Sequence, residues 1–372
     1  MITSLFQPSR IKSLELKNRF VRSATAEAMS TDDGRPTQAL KELYCRLADG
    51  EVGLIITSGA CIEQWANYPH TLGMKSPLFM FDDSYIAPWR DIIPAVHERG
   101  SKIAMQIGHL GRQDIPALRN APALAPSPVP IPGVSPEPRE MTVPEIKDVV
   151  EKFGQASRRV KEAGFDAVQF HGAHGNLINN FMSPFTNRRT DDYGGSIANR
   201  ARFTVEAVQR TRQLVGPDFP VMIKMNFNDF FQGGLEPGYA VAIAEVLEKA
   251  GIDCIEISGG TLSETKEHIA VKGIVKEESE SYFRPYANAL KQKVTIPVML
   301  VGGHRSPGLM AQIIESNDAD FISLCRPLIR EPELIKRWKN GDLAKAKCIS
   351  CNQCFDNWVF HSLRCFVDEP LP

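Results

Sequence analysis

Eight short apolar runs alternate with helical stretches along almost the whole of this 372-residue chain. The apolar runs have the length of buried strands and are residues 19–24, 52–57, 102–106, 167–170, 221–225, 254–257, 298–301 and 320–324. The helical stretches lie near residues 37–50, 84–99, 142–163, 197–215, 238–250, 280–293, 306–316 and 332–340. Eight such units favour a closed parallel barrel over an open doubly wound sheet. The sequence therefore predicts an α/β fold of the (β/α)8 TIM-barrel type.

The open sheet is disfavoured for a second reason, because it needs a glycine-rich turn after its first strand and residues 24–27 read Ala-Thr-Ala-Glu. The barrel is expected to occupy residues 1–340, and residues 341–372 form a short C-terminal extension with a cysteine cluster. A proline-rich segment at 121–138 has β/α units on both sides. It is therefore predicted to be an insertion that covers the barrel mouth rather than a domain linker.

The composition indicates a soluble protein, and we expect its partner to be a small-molecule substrate. Forty-three basic residues against 44 acidic ones give a formal net charge of -1, which provides no electrostatic basis for binding nucleic acid or a membrane surface. The N-terminus lacks a charged region followed by an apolar core, and no stretch reaches the about 18 apolar residues of a membrane helix. We therefore expect a cytoplasmic location with reduced cysteines.

Two histidines, His171 and His174, follow the fourth predicted strand and precede a long loop rich in Asn, Arg, Asp and Gly. Barrels of this type carry their chemistry at the carboxyl ends of the strands. A lone histidine there is more often a core residue, whereas a pair followed by such a loop favours function. One reading makes the two imidazoles zinc ligands of a lyase or hydrolase, with Glu256 as a candidate third ligand.

A phosphate site is predicted where the barrel closes. Gly302 and Gly303 follow the seventh predicted strand, and Cys325-Arg326 follows the eighth. Open backbone N–H groups next to a bidentate arginine match the common phosphate site of these barrels. A Gly-Gly turn alone is more often only a turn, and Arg305 could instead be a surface residue.

Gln106 and Lys224 are polar residues inside apolar strands, and a buried ammonium needs an anion or an acceptor. Lys224 could pair with a carboxylate inside the barrel. Alternatively, both residues face an electron-accepting ring whose reduced, anionic form a fixed positive charge stabilises.

Four cysteines near the C-terminus, Cys348, Cys351, Cys354 and Cys365, have the spacing C-x2-C-x2-C-x10-C. Such thiolates suit an iron–sulfur cluster or a structural zinc, and the alternative is that the cysteines bind no metal. Because zinc sites usually consist of two C-x2-C pairs, three close cysteines and a distant fourth favour a [4Fe–4S] cluster.

The paired histidines and the tail Asn187-x-Arg189-x-Asp191-x-Tyr193-Gly-Gly-Ser resemble the signature of the Old Yellow Enzyme (NADH:flavin oxidoreductase) family. The resemblance extends over nearly the whole chain. The cysteine segment resembles that of the dienoyl-CoA reductase and trimethylamine dehydrogenase branch, whose members continue into further flavin- and nucleotide-binding domains. Since this chain stops at Pro372, we expect those domains to be absent. Either a separate electron-transfer protein then supplies electrons to the cluster, or the cluster is structural.

The resemblance implies FMN as the cofactor. It places the backbone of Ser23, Ala24 and Thr25 against the dimethylbenzene and central rings, and Gly59 near the N5–O4 edge. Ala26 stands where many relatives have Cys or Thr, so no side-chain hydrogen bond reaches O4 and the redox potential is affected.

The same resemblance places Gln106 and Lys224 at the pyrimidine edge, where arginine is commoner than lysine. It places His171 and His174 above the flavin as hydrogen-bond donors to a substrate carbonyl. The implied reaction is the reduction of a carbonyl-conjugated alkene by hydride from flavin N5, with electrons from NAD(P)H or from a partner through the cluster.

Asn176 is the largest departure from the family pattern, because many relatives have a proton-donating Tyr there. Asn is not an acid, so the proton must come from water or from another residue, with Tyr68, Tyr282 and His109 as candidates. A flavin-dependent amine dehydrogenase or demethylase is the alternative, with Trp65 and Tyr68 as a suggestive aromatic cage. The sequence leaves homo-oligomerisation open.

Overall fold

The computed structural model describes residues 2–67, 72–131 and 137–370, and in this part of the chain all eight predicted strands form. The barrel strands are β1 (Phe20–Arg22), β2 (Leu54–Cys61), β3 (Lys102–Gly108), β4 (Ala167–Gly172), β5 (Val221–Asn226), β6 (Cys254–Ser258), β7 (Val298–Leu300) and β8 (Phe321–Leu324). Neighbouring strands pair in parallel around the ring, and β8 pairs with β1. The predicted (β/α)8 TIM barrel is confirmed.

Helices follow the strands as the sequence predicts. They are α1 (Gln38–Asp49), α2 (Ile93–His97), α3 (Val143–Glu162), α4 (Ile197–Val215), α5 (Pro237–Ala250), α6 (Arg284–Lys291), α7 (Pro307–Glu315) and α8 (Leu334–Lys339). The stretch predicted at 84–99 is instead broken into two 3-10 turns, Asp83–Tyr85 and Ala87–Trp89, followed by α2. Pro88 and Pro94 explain the break, because proline lacks the N–H that a continuous helix needs.

Shorter helices, 3-10 turns and strands lie outside the eight strands and eight main helices of the barrel. The short helices are Pro116–Arg119, Leu177–Met182, Lys266–Ile269, Arg326–Arg330 and Gln353–Asp356, and further 3-10 turns are Thr3–Phe6, Gly111–Gln113 and Glu277–Ser279. The short strands outside the barrel wall are Ser9–Ile11, Leu14–Leu16, Leu78–Phe79, Leu124–Ala125 and Arg139–Glu140.

The lower end of the barrel is sealed by a hairpin that the sequence analysis did not predict. Ser9–Ile11 pairs with Leu14–Leu16, and Ile11, Leu14 and Leu16 pack against an apolar layer inside the barrel. The strand residues of that layer include Ala104, Ala167, Met222 and Cys254. The hairpin therefore closes the bottom, so the barrel opens at the carboxyl ends of its strands.

Strand periodicity places polar side chains directly above this apolar layer. Successive side chains of a strand alternate between its two faces, so residues two positions on share a face. Two positions beyond Ala104, Ala167, Met222 and Cys254 come Gln106, Gln169, Lys224 and Glu256, which are all buried. The barrel interior thus changes from apolar to polar towards its mouth.

The C-terminal extension lies against loops at the mouth. The backbone N–H of Leu363 donates to the carbonyl of Glu27, and that of Lys75 donates to Val359, each at 2.8 Å. The backbone N–H of Gly273 donates to Ser350 at 3.0 Å. These contacts join the extension to loops after β1, β2 and β6. The division at residues 340 and 341 stays a prediction.

The proline-rich insertion folds back on the barrel. Leu124–Ala125 pairs with Arg139–Glu140, and Ile131 reaches the cavity at the mouth. Residues 132–136 lie outside the described part. No helix of residues 2–67, 72–131 and 137–370 is long and apolar enough to cross a lipid bilayer.

Candidate active site

A cavity of about 490 Å³ opens at the carboxyl ends of the barrel strands. It brings together most of the residues that the sequence singled out. These are Ser23, Ala24, Thr25, Gly59, Gln106, His171, His174, Lys224, Gly303, Cys325 and Arg326. Because they come from seven of the eight strand ends or the loops after them, only the closed barrel gathers them.

Lys224 lies on the cavity floor and is only 5% exposed. Its Nζ donates to Ser23 Oγ at 2.9 Å and lies 3.3 Å from Glu256 Oε1. Ser23 Oγ in turn donates to Glu256 Oε1 at 2.5 Å. Both readings of Lys224 therefore hold together, since it pairs with a carboxylate and also faces the cavity.

Gln106 joins the same network through Gln169. Gln106 Nε2 donates to Gln169 Oε1 at 2.8 Å, and Gln169 Nε2 donates to Glu256 Oε2 at 2.9 Å. Gln106 Oε1 lies on the side of Gly59, 3.2 Å from where a Cβ would stand at that glycine. The Gln106 side chain thus uses its N–H inside the barrel and keeps its carbonyl next to a cavity-lining glycine.

The two histidine rings meet edge to face, with their centroids 5.4 Å apart. Desolvation, with the charge of Lys224, lowers the pKa of His171 to about 3. Desolvation, with the charges of His171 and Lys224, holds the pKa of His174 well below its usual range. Both imidazoles are therefore neutral near pH 7.

The backbone holds His174 in an unusual conformation. Its φ is 59°, in the left-handed region that side chains other than glycine adopt rarely. Asn226 Oδ1 accepts from its backbone N–H at 3.2 Å, and Gln113 Nε2 donates to its carbonyl at 2.9 Å. Its Nε2 lies 2.6 Å from Ser258 Oγ. Strain of this kind persists where surrounding contacts over-determine the conformation, as they do here.

Asn176 takes up a defined role beside His171. Its Nδ2 donates to the carbonyl of Ala173 and to His171 Nε2, both at 3.1 Å. Since a carbonyl only accepts, the amide must present N–H rather than oxygen to the ring. His171 Nε2 is then the acceptor and Nδ1 carries the proton. Nδ1 has no hydrogen-bond partner among the described residues.

The predicted phosphate site is centred on Gly302 and Gly303, whose φ values are 143° and 73°. A Cβ at Gly303 would lie 3.0 Å from the ring of Tyr282, so the turn requires glycine. Arg326 is buried close by, and its Nη1 donates to Val271 O at 2.8 Å and to Asn352 Oδ1. Gly303, Cys325 and Arg326 line the cavity, whereas Gly302 lies just behind them.

Arg305 is not a free surface residue, the reading that the sequence left open. Its guanidinium donates to the carbonyls of Ile274, Val275 and Ala346. It thereby fastens the start of the C-terminal extension to the loop after β6.

Two of the three candidate proton donors, Tyr282 and His109, are not placed beside the histidines. Tyr282 packs on the glycine turn of the phosphate site, where burial raises its pKa. His109 Nε2 lies 3.0 Å from Glu63 Oε2 and does not line the cavity. Tyr68 lies outside the described residues.

The sequence analysis missed much of the cavity wall. Phe355, Trp358 and Leu363 of the extension line it, together with Leu78. Trp65, which the sequence suggested for an aromatic cage, also lines it. The only sequence signal for Trp358 is that it lies four residues after Cys354. An apolar wall from the extension makes this segment part of the site.

The four C-terminal cysteines are unpaired and partly buried, and Cys354 lines the cavity. Burial raises the pKa of Cys348, and that of Cys354 to about 12. Among the described residues, no three His, Cys, Asp or Glu side chains are gathered into a metal-binding group. In this arrangement the residues do not fit a [4Fe–4S] cluster.

The zinc reading of the histidine pair also fails on its donor set. Glu256, the candidate third ligand, already accepts from Ser23, Lys224 and Gln169. His171 Nε2 accepts from Asn176. Within residues 2–67, 72–131 and 137–370, no third ligand joins the histidine pair in a metal-binding group.

FMN fits the cavity better than a metal does. The cavity supplies a buried ammonium, a glutamine carbonyl beside a glycine, and a paired glycine turn with a buried arginine. These are the donors and the close approach that a phosphorylated aromatic ring requires. His171 Nδ1, a buried donor without a protein partner, is a further unmet hydrogen bond in the site.

Comparison with known proteins agrees with this geometry. The NADH:flavin oxidoreductase / NADH oxidase family matches residues 4–344. The chain is 38% identical over 365 residues to an NADH oxidase of Thermoanaerobacter brockii, covering 97% of this chain and 55% of that protein. It is 33% identical over 334 residues to an NADPH dehydrogenase of Geobacillus sp. (strain WCH70), covering 89% of this chain and 92% of that protein.

Among solved structures, the complex of 2-naphthoyl-CoA reductase with 2-naphthoyl-CoA superposes with a TM-score of 0.88 at 25% identity. The match covers 99% of this chain and 57% of that one. The chain thus spans little more than half the length of this reductase and of the NADH oxidase. The family expected from the paired histidines and the loop after them is confirmed: the chain belongs to the NADH:flavin oxidoreductase / NADH oxidase family.

Proposed function

We propose that this protein is an FMN-dependent oxidoreductase that uses NAD(P)H to reduce a carbonyl-conjugated alkene. The observation that carries the proposal is the pair of neutral imidazoles, His171 and His174, in the same cavity as the Lys224 and Gln106 network. The relatives named an NADH oxidase and an NADPH dehydrogenase support a nicotinamide electron donor.

FMN, when bound, supplies the hydride-transfer centre for this chemistry. Gln106, Lys224 and Gly59, with the backbone of Ser23, Ala24 and Thr25, are the residues that would hold its ring. Gly302, Gly303, Cys325 and Arg326 would hold its phosphate. The apolar wall of Trp65, Trp358 and Leu363 limits the access of bulk water to the reacting groups.

His171 and His174 bind the substrate carbonyl in this proposal. A neutral imidazole keeps one N–H, so each ring can donate one hydrogen bond without competing for a proton. Donors fixed at the oxygen stabilise the negative charge that develops there when hydride reaches the β-carbon. Asn176 has no proton to give, and we propose that water protonates the α-carbon.

The test is direct. Purified protein, reconstituted with FMN, should show a flavin spectrum and release FMN on denaturation. Reduced under anaerobic conditions, it should be reoxidised by a conjugated enone but not by the saturated ketone of the same skeleton. A preparation that retains no flavin after reconstitution would refute the proposal.

Amine oxidation is the second candidate, because two tryptophans, Trp65 and Trp358, line the cavity. Aromatic faces attract a substrate cation. Stopped-flow mixing separates the two candidates, since an amine substrate bleaches oxidised flavin whereas an enone reoxidises reduced flavin. Bleaching by amines with no response to enones would favour the second candidate.

The [4Fe–4S] cluster stays a prediction of the cysteine spacing, and no electron step here depends on it. Iron and acid-labile sulfide in freshly isolated protein test it, and four of each per chain would be the result for a full cluster. A separate electron-transfer protein is proposed only if the cluster is present. A homo-oligomer is left to a measurement of mass in solution.

A further inference from the structure

Glu256 is fully buried at the bottom of the cavity, yet the proposed chemistry gives it no task. It is packed where a carboxylate is expensive, because burial removes its hydration. Each of its oxygens accepts hydrogen bonds, Oε1 from Ser23 and Lys224 and Oε2 from Gln169. A group held so fully has a defined orientation.

The carboxylate oxygens of Glu256 determine the direction of the hydrogen bonds through Gln169 and Gln106. Because Oε2 can only accept, Gln169 must turn its Nε2 towards Glu256 and its Oε1 towards Gln106. Gln106 must then donate its own Nε2 to Gln169, which leaves its Oε1 on the side of Gly59. The orientation of the Gln106 amide therefore originates at Glu256, two hydrogen bonds away.

Glu256 also offsets the charge of Lys224. The ammonium and the carboxylate lie 3.3 Å apart, with side-chain exposures of 6% and 0%. In a site so poorly hydrated, an unpaired ammonium would impose a strong positive potential on the cavity. With Glu256 in place, most of that potential is cancelled at a distance.

We infer that Glu256 is a positioning residue that sets the reduction potential of the bound flavin. It does so by cancelling part of the Lys224 charge and by presenting the Gln106 carbonyl to the ring. The inference rests on the proposed function, because it requires the ring to bind above Lys224. Glu256 itself does not line the cavity and acts only through Ser23, Lys224 and Gln169, which it contacts.

The first test replaces the carboxylate by an amide of the same shape. Glu256→Gln leaves the charge of Lys224 uncompensated. It also allows the hydrogen bonds through Gln169 and Gln106 to reverse their direction, because an amide can donate as well as accept. The equilibrium constant for reduction of bound FMN, measured against reference dyes, should rise by on the order of tenfold to a hundredfold. Glu256→Asp keeps the charge, so its equilibrium constant for reduction of bound FMN should stay close to that of the wild type.

Glu280→Gln is the matched control. Glu280 is another buried carboxylate that accepts from the backbone of Arg305 and Ser306 and from Ser306 Oγ, and it does not line the cavity. Its substitution should cost stability without moving the reduction equilibrium. An equal shift in both variants would show a general loss of structure and would overturn the inference.

A paired substitution keeps the idea testable if Glu256→Gln does not fold. Lys224→Met with Glu256→Gln removes both charges, so the reduction equilibrium should stay within about threefold of wild type. Lys224→Met alone, which leaves the carboxylate unpaired, should lower it on the order of tenfold or more. Equal shifts in the single and double variants would overturn charge compensation.

The two proposals fail in distinguishable ways. Wild-type protein that binds no FMN refutes the proposed function. Wild-type protein that binds FMN, together with a folded Glu256→Gln variant whose reduction equilibrium is unchanged within twofold, refutes only the role of Glu256.

Discussion

Asn176 donates a hydrogen bond to His171 across 3.1 Å, at the position where many relatives carry a tyrosine. The second hydrogen bond of the same amide nitrogen, to Ala173 O, fixes which end of the amide faces the ring. The residue that replaces a proton donor therefore selects the tautomer of its neighbour. Asn176 is therefore an orienting group, a role that the sequence analysis did not predict for it.

Asn176→Leu should slow substrate reduction without releasing FMN. Loss of the amide leaves Nε2 of His171 without its donor, so the ring can carry its proton on either nitrogen. We expect kcat/KM for an enone to fall about tenfold, which corresponds to one buried hydrogen bond. Asn340→Leu, at an exposed position, is the control and should leave the kinetics unchanged. Loss of FMN in proportion to activity would contradict the orienting role.

His171→Ala combined with His174→Ala should abolish substrate reduction and leave the flavin bound. In the wild-type enzyme, protonation of His171 should not appear in the pH profile from about pH 5 to about pH 9, because its pKa is about 3. Single-turnover reoxidation of reduced enzyme by an enone measures this at each pH. Unchanged turnover in the double variant would remove both residues from the site.

Arg326→Ala should weaken FMN binding by roughly 1.5–3 kcal/mol, the contribution of a charge-assisted hydrogen bond. Asn352→Ala should act in the same direction but less strongly, because Asn352 Oδ1 holds the Arg326 guanidinium. Fluorescence titration of the apoprotein with FMN provides the dissociation constants. Arg330→Ala is the control, because Arg330 donates to Asp368 and to the carbonyl of Lys347 and does not line the cavity. Equal FMN affinity in Arg326→Ala and wild type would refute the phosphate site.

His304 should make the protein less stable as the pH falls. Burial lowers its pKa to about 4, below the ordinary value of 6.5, so the unfolded state binds the proton first. The stability that the neutral ring contributes is full above pH 6.5 and is lost between 6.5 and about 4, by at most roughly 3 kcal/mol. Urea unfolding of wild type and His304→Gln at several pH values measures this. The variant should show a shallower decline over that interval, and parallel declines would contradict the prediction.

The sequence determined the architecture because short-range sequence patterns specify the strands, helices and turns of the barrel. Strand-length apolar runs, the Thr142–Glu145 capping box of α3 and the glycine turn at Gly302 and Gly303 each follow from nearby residues. The paired histidines and Arg326 could be named for the same reason, since each follows a strand whose end must lie at the mouth. Residues 84–99 show the limit of such patterns. The sequence predicted one helical stretch there, whereas prolines divide it into separate short elements.

Only the tertiary structure decided which groups meet. Lys224 and Glu256 lie on neighbouring strands, but their register, and the addition of Ser23 from the residues just after β1, follow from closing the barrel. The extension's place in the cavity wall, and the direction in which Asn176 faces His171, depend on long-range packing and on hydrogen bonds that no local pattern records. Secondary structure follows from short-range backbone preferences, whereas the chemistry of the site depends on side chains far apart in the chain.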